Sequence, residues 1–324
     1  MKHVCILFLW MLLIQSAFAR PTDGKLAAKP LFIDPVYDGA ADPVVIWNKA
    51  EQRWFMLYTN RRANVPGLDG VSWVHGTRIG IAESTDGGAT WQYRDTCDIR
   101  YRPDAGYTHW APDVVYHNGL YHMYLSYVPG IFKEWGHPRS IIHLTSSDLI
   151  HWDYQSTLPL ASDRVIDASV FPLPDGTWRM YYNNERSGKS MFYADSPDLY
   201  HWTDAGKQII RDRGEGAKVF RWKGKYRMLI DAWDGLGVFS SSDLTDWKRQ
   251  ERNILKEPGT GTDDDAKGQH CDVVVNNDRA YVFYFVHRNQ RITRLQVAEL
   301  ELVGDEITCD RNKPVYIHLE PENL

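Results

Sequence analysis

The chain has few cysteines, no long apolar run, no surplus of one charge and no stretch of sustained helical periodicity, and each absence removes a class of protein. Four cysteines in 324 residues exclude a disulfide framework. Cys5 falls in the apolar N-terminal stretch, and the odd set that remains, Cys97, Cys271 and Cys309, reads as buried free thiols with at most one bridge among them. The apolar stretch 4–14 is shorter than the ~20 residues a membrane-spanning helix needs, and no later segment comes closer. Lys and Arg number 37 against 42 Asp and Glu, a formal net charge of −5 with both signs mixed along the chain, so neither nucleic acid nor an anionic membrane is an expected partner. No segment sets apolar residues at a 3.6-residue period between helix caps. Residues 1–19 are expected to be a signal peptide, with Lys2 ahead of the apolar stretch and Ala17-Phe18-Ala19 as a small-x-small cleavage site. The mature chain then starts at Arg20, is exported to the periplasm or the extracellular space, is free of the membrane, and forms a single domain over 20–324.

What the chain has is a repeat. Five cassettes open with an apolar, β-branched run: Ala-Asp42-Pro-Val-Val-Ile, Ala-Pro-Asp113-Val-Val-Tyr, Asp167-Ala-Ser-Val-Phe, Glu215-Gly-Ala-Lys-Val-Phe and His270-Cys-Asp272-Val-Val-Val. A turn and a second β-rich run follow each, at 54–58, 121–127, 178–182, 226–230 and 281–285. Turn signals such as Asn118-Gly119 and Pro174-Asp175-Gly176 join several of the pairs. A second element recurs after the third strand: Ser84-Thr-Asp86, Ser147-Asp148, Ser196-Pro-Asp198 and Ser242-Asp243, ending in Trp91, Trp152, Trp202 and Trp247. Short polar side chains fold a tight turn there, and the Trp opens an outer strand and packs between neighbours. The fifth cassette has a third strand but no such turn, as suits the place where a ring closes. A repeat of roughly 40–60 residues built of strands predicts an all-β fold, a five-bladed β-propeller.

Strand starts that meet at a propeller axis bring their acids into one pocket, and a charge there is costly unless it meets water, a partner or a substrate. Asp42, Asp167 and Glu215 stand out, the last flanked by glycines that let a ligand approach the backbone. Each also has a structural reading: Asp42 as a turn residue, Asp167 bonded to amides of its own blade, Glu215 paired with Lys218, Arg211 or Arg213. Asp113 and Asp272 lie one residue nearer their strands and read as structural. Long connections at 60–77, 97–110, 129–139 and 253–269 are expected to shape a binding face. Their Trp73 and Trp110 are candidates to stack on a sugar ring, with Trp135 behind them, while Asp263-Asp264-Asp265 reads as a solvated loop. In the last blade Arg288 and Arg294 are candidates for contact with substrate hydroxyls or a carboxylate.

Taken together and in order, Asp42, Asp167 and Glu215 on the first, third and fourth of five cassettes, with Trp110-Ala-Pro-Asp113 on the second, resemble glycoside hydrolase family 43 and its clan. The resemblance covers almost all of 20–324. It implies hydrolysis of a polysaccharide or oligosaccharide with inversion, Asp42 being the general base, Glu215 the general acid and Asp167 the neighbour that orients the acid and disfavours a second negative charge beside it. Such a mechanism needs a gap of roughly 6.5–9.5 Å between base and acid carboxyls. It further implies exo-action of the α-L-arabinofuranosidase or β-xylosidase type, no cofactor for the chemistry, and a calcium ion in the axial channel reached by His270. Alternatives are a related propeller hydrolase of anhydro-galactose oligosaccharides and a noncatalytic glycan-binding propeller. Ser84–Trp91 also fits the Asp-box of sialidases, but those need six blades and an arginine cluster.

Overall fold

The structure, a computed structural model, describes residues 24–102 and 106–321. The expected signal peptide and its cleavage site lie outside the described residues. Five antiparallel sheets, each meandering outward from an inner strand, stand around one axis. The inner strands are Ala40–Asn48, Thr108–His117, Val165–Pro172, Glu215–Trp222 and Gln269–Asn276. Among the described residues the only helical elements are two 3₁₀ turns, Ser72–Val74 and Glu185–Ser187, so the all-β, five-bladed expectation holds.

Alternation along these strands puts β-branched and aromatic side chains on both faces of each blade, and five apolar clusters fill the five gaps between blades. Fully buried aromatics such as Phe55, Phe283 and Trp152 anchor them, each buried Phe contributing roughly 2 kcal/mol. The ring is closed by both ends of the chain. Lys25–Leu26 pairs antiparallel with Tyr316–Ile317, and Leu319 donates its N–H to Gly87 while its carbonyl accepts Trp54 Nε1. Leu31, Phe32, Ile317 and Leu319 thereby wedge between the fifth blade and the first.

Three local expectations change. The hydroxyls that fold the Asp-turns of blades two and four belong to Ser146 and Ser241, one residue earlier than read from sequence; each accepts two turn amides and bonds the aspartate two positions on. Segment 97–110 adds Asp98–Arg100 as a parallel fifth strand on the outer edge of blade two before it returns to the axis. Asp264 is not solvated: it is buried against Arg311 and Lys29, and it accepts the Tyr284 hydroxyl. Among the described residues the cysteines are three free thiols, Cys97 and Cys271 buried and Cys309 half-buried.

All five inner strands slip register at the same place: between Ala41 and Val44, Trp110 and Asp113, Ile166 and Ser169, Glu215 and Lys218, and Gln269 and Cys271. In four of these bulges one residue is left-handed: Asp42 at φ 50°, Ala111 at 44°, Asp167 at 58° and Gly216 at 57°. A bulge re-aims the side chains around it, and here it sorts them into two levels. Asp42, Asp167 and Glu215 face the mouth of the axis. Just below, the Lys218 ammonium sits 2.9 Å from Asp113 Oδ1 and 2.8 Å from Asp272 Oδ1. The other oxygens of those aspartates accept the N–H of Val170 and of Val45, each at 2.7 Å. One lysine, its side chain 17% exposed, thus ties all five blades together.

Candidate active site

Above that node a cavity of about 550 Å³ opens at the mouth of the axis, and Asp42, Asp167 and Glu215 all line it. A larger hollow of about 730 Å³ lies between the outer parts of blades four and five and contains none of them. The bulges position the acids. The left-handed turn at Asp42 aims its carboxylate at Arg61, whose Nη2 is 3.0 and 3.2 Å from the two oxygens, and at His270 Nδ1, 3.5 Å away. Burial alone would raise the pKa of Asp42, but Arg61 and the His270 ring outweigh it and hold the carboxyl well below the usual range. Asp42 is therefore an anion across the physiological range.

Asp167 is placed by the same bulge in blade three. Its own N–H donates to Ser126 Oγ at 2.9 Å, and its Oδ2 accepts the Gly216 N–H at 3.1 Å. Burial pushes its pKa up to about 7, the His270 charge opposing and the Glu215 and Asp42 charges adding. Glu215 stands beside it, accepting Lys189 Nζ at 3.1 Å and the Trp233 indole N–H at 3.2 Å. Its partner is thus Lys189, not Lys218, Arg211 or Arg213: Lys218 points down to the axial node, and Lys189 arrives from the neighbouring blade.

Sequence reading missed Asp231. It lies directly across the strand pair from Glu215, buried, accepting the N–H of Trp233 at 2.8 Å and of His270 at 3.1 Å. Burial and the Glu215 charge raise its pKa to about 7. Also missed were Arg61, Glu185, Lys189 and His287. Arg61, Asp231 and His287 share a signal, since all sit where a second strand ends: Arg53–Asn60, Lys225–Asp231 and Arg279–His287. Because that strand runs antiparallel to the inner one, its end returns to the same mouth.

Trp73, Trp110 and Trp135 all line the cavity, but their order reverses. Trp110 is 8% exposed, donates its indole N–H to the Val74 carbonyl and carries the Arg139 guanidinium over its ring, so it backs the wall. Trp135 is 51% exposed and presents the open face; Trp73 is intermediate and meets His287 edge-on. Arg288 does not reach the cavity. The acidic loop holds it, with Asp263 at 2.9 Å and Asp265 at 3.4 Å, and Arg294 is similarly held by Asp38 and Asp263.

His270 lines the cavity, with its Nδ1 3.5 Å from Asp42 Oδ1. Burial would lower its pKa, yet the hydrogen bond to Asp42 and the Asp167, Asp42 and Asp231 charges raise it to about 9, which makes it a cation near neutral pH. The axis beneath it holds the Lys218 ammonium, and among the described residues no group of three or more His, Cys, Asp or Glu could hold a metal ion.

This geometry has counterparts. A crystal structure of a thermostable family-43 glycoside hydrolase superposes with a TM-score of 0.67 at 17% identity, covering 89% of this chain and all of that one. A β-xylosidase superposes at 0.63 and 16% identity over 84% and 95% of the two chains. An exo-1,5-α-L-arabinanase from a bovine ruminal metagenomic library gives 0.61 and 15% over 86% and 99%. In sequence, the chain is 27% identical over 163 residues to a fructan β-fructosidase of Streptococcus mutans, covering 43% of this chain but 11% of that protein. It is 22% identical over 246 residues to a probable arabinan endo-1,5-α-L-arabinosidase of Emericella nidulans, covering 71% and 70%. It spans about a third or less of the length of the first curated relatives it matches. The family model described as a probable glycosyl hydrolase domain, of the family 43-related group, matches residues 34–263, which include Asp42, Asp167 and Glu215; the chain belongs to that family.

Proposed function

We propose that the protein is an inverting glycoside hydrolase acting at the end of a polysaccharide or oligosaccharide chain. The observation that carries this is the placement of Asp42 and Glu215 on different blades around one cavity, with different partners. Asp42, held ionised by Arg61 and His270, suits a base that takes a proton from water. Glu215, one-quarter exposed at the cavity wall on another blade and held in place by Lys189 and Trp233, takes the role of the acid that protonates the departing oxygen. Asp167 and Asp231, with pKa values pushed to about 7, keep protons beside Glu215 at the pH where the acid must be reloaded. In the reaction, water on the Asp42 side attacks the anomeric carbon and loses its proton to Asp42, while the glycosidic oxygen leaves with the proton of Glu215.

A single pocket walled by Trp73, Trp110 and Trp135 supports exo-action. Release of terminal α-L-arabinofuranose or β-xylose is the first substrate pair to test, since the solved neighbours include a β-xylosidase and an exo-arabinanase. The proton transfers as written run between water, Asp42, Glu215 and the leaving oxygen and pass through no metal, so chelators are expected to leave turnover intact. Export follows from the leader-like residues 1–19, and N-terminal sequencing of the secreted protein should begin at Arg20.

The test uses aryl arabinofuranosides and xylosides. Asp42→Asn should lower turnover by about 10²–10⁴-fold on every leaving group, and Glu215→Gln most on poor ones, where protonation matters most. Proton NMR of the first-formed sugar should show inversion; retention, or equal losses across leaving groups for Glu215→Gln, overturns the assignment.

A further inference from the structure

On the Glu215 side the cavity wall is richer in cations than a neutral sugar requires. Glu185, its side chain 4% exposed, follows the second strand of blade three, and three cations converge on it: Arg139 Nε at 2.8 Å, Lys189 Nζ at 3.3 Å and Arg164 Nε at 3.7 Å. Lys189 also holds Glu215. Arg139 and Arg164 both donate to the Trp135 carbonyl, which fixes the two guanidinium groups and the one open tryptophan as a unit at the mouth. All six residues line the cavity. Three positive charges therefore face two carboxylates, and three face one once Glu215 carries the proton that an acid must donate. Asp167 and Asp231 lie deeper and offset this excess only as they ionise, through pH ~7. Asp42, on the other side, is balanced by its own Arg61 and His270.

Arg139, the most buried of the three, is matched by Glu185, and the unmatched charge falls on the partly open Lys189 and Arg164, where an anion in the cavity can meet it. The acid stands next to the departing oxygen, so the cation cluster lies along the sugar that leaves. Lys189 and Arg164 are the exposed members, with 34% and 21% of their side chains open against 2% for Arg139, and the planar fork of Arg164 suits a carboxylate or sulfate.

We propose that the preferred substrate is an acidic saccharide, in which the sugar on the leaving-group side of the scissile bond carries an anionic substituent, a uronic carboxylate or a sulfate ester, received by Arg164 and Lys189 beside Trp135. This rests on Glu215 being the acid, which sets the leaving-group side.

The experiment compares matched oligosaccharides with a neutral, a uronic or a sulfated sugar at the penultimate position, at low salt and about pH 6, where Asp167 and Asp231 are largely protonated. One acidic form is expected to exceed the neutral one in kcat/KM by roughly ten-fold or more, with Arg164→Gln bringing that ratio towards one. Which acidic form wins separates carboxylate from sulfate recognition. Calorimetric binding of the same ligands to Glu215→Gln reads the preference without turnover, so a protein that hydrolyses none of them but binds the acidic ones more tightly contradicts the catalytic reading and not this one. Equal or weaker binding of the acidic forms, or a preference unchanged in Arg164→Gln, overturns the proposal.

Discussion

Replacing Lys218 by methionine removes the ammonium that holds Asp113 and Asp272 at 2.9 and 2.8 Å and leaves their side chains, 7% and 4% exposed, without a counter-ion. In the native chain burial opposes the lysine charge, but the two aspartates outweigh it and raise its pKa, which marks the node as favourable overall. Breaking a buried ion pair from one side costs ~3–5 kcal/mol. For a chain of this size that lowers Tm by roughly 5–8 °C. Part of the loss should return on acidification, because protonating the stranded aspartates relieves their repulsion; the gap between wild type and Lys218→Met should narrow from about pH 8 to about pH 5. Adding Asp113→Asn and Asp272→Asn keeps acceptors for the Val170 and Val45 amides while removing both charges, and should restore most of the stability. The assay is thermal unfolding of wild type, Lys218→Met and the triple variant at both pH values. A drop below about 1 kcal/mol in the single variant would refute the claim that one lysine unites the blades, since that is the scale of an exposed pair.

Gly216→Ala puts a Cβ 2.5 Å from the His270 ring at a residue with φ +57°; overpacking and left-handed strain together should lower stability by ~2–5 kcal/mol and turnover with it, and a wild-type Tm would show that the ring moves freely. Ser146→Ala should cost about 1–2 kcal/mol, because its hydroxyl holds two turn amides and Asp148, whereas Ser147→Ala, exposed, should stay within about 0.5 kcal/mol; the reverse order would return the turn to the later serine. For pH, Asp167 and Asp231 bind protons up to about 7 when folded against 3.8 ordinarily, so they subtract stability as pH rises through that window. His270, raised from 6.5 to about 9, adds stability that is complete below 6.5 and lost through 9, and Asp42, depressed below 3.8, adds stability that is lost as pH falls below that value. Tm should therefore decline from about pH 5 to about pH 9, less steeply in Asp167→Asn; a rise over that range, or an unchanged slope in the variant, counts against the buried cluster.

The cassette count, the inner strands and the grouping of Asp42, Asp167 and Glu215 were legible because strand starts repeat along the chain, and a ring must bring repeated starts together. Partners across blades were not. Glu215 has lysine and arginine near it in sequence, yet it takes Lys189 from the adjoining blade, since its own Lys218 falls beyond the bulge and points to the other level. Arg288 looked available and is held by the acidic loop 263–265, a contact between a hairpin end and a connection that leaves no local mark. Asp231 could have been found: a strand that ends Leu-Ile-Asp, antiparallel to one that begins at Glu215, must return its last residue to the same mouth.

The bulge explains why the two levels differ in kind. One left-handed residue in an inner strand shifts the alternation by a step, so side chains on either side of it belong to different layers of the axis. Asp42 and Asp167 take the left-handed position, which short polar residues tolerate at little cost, while Gly216 takes it in blade four and leaves Glu215 one residue earlier with a longer reach towards the cavity. Two residues after the left-handed position stand Val44, Asp113, Ser169 and Lys218, and Asp272 joins them from the fifth blade. These carry the ion triad that fixes the blades. Acids in the first position meet the cavity and acids in the second meet a lysine, so identity at a bulge position, more than acidity itself, separates residues poised for chemistry from residues that hold the ring.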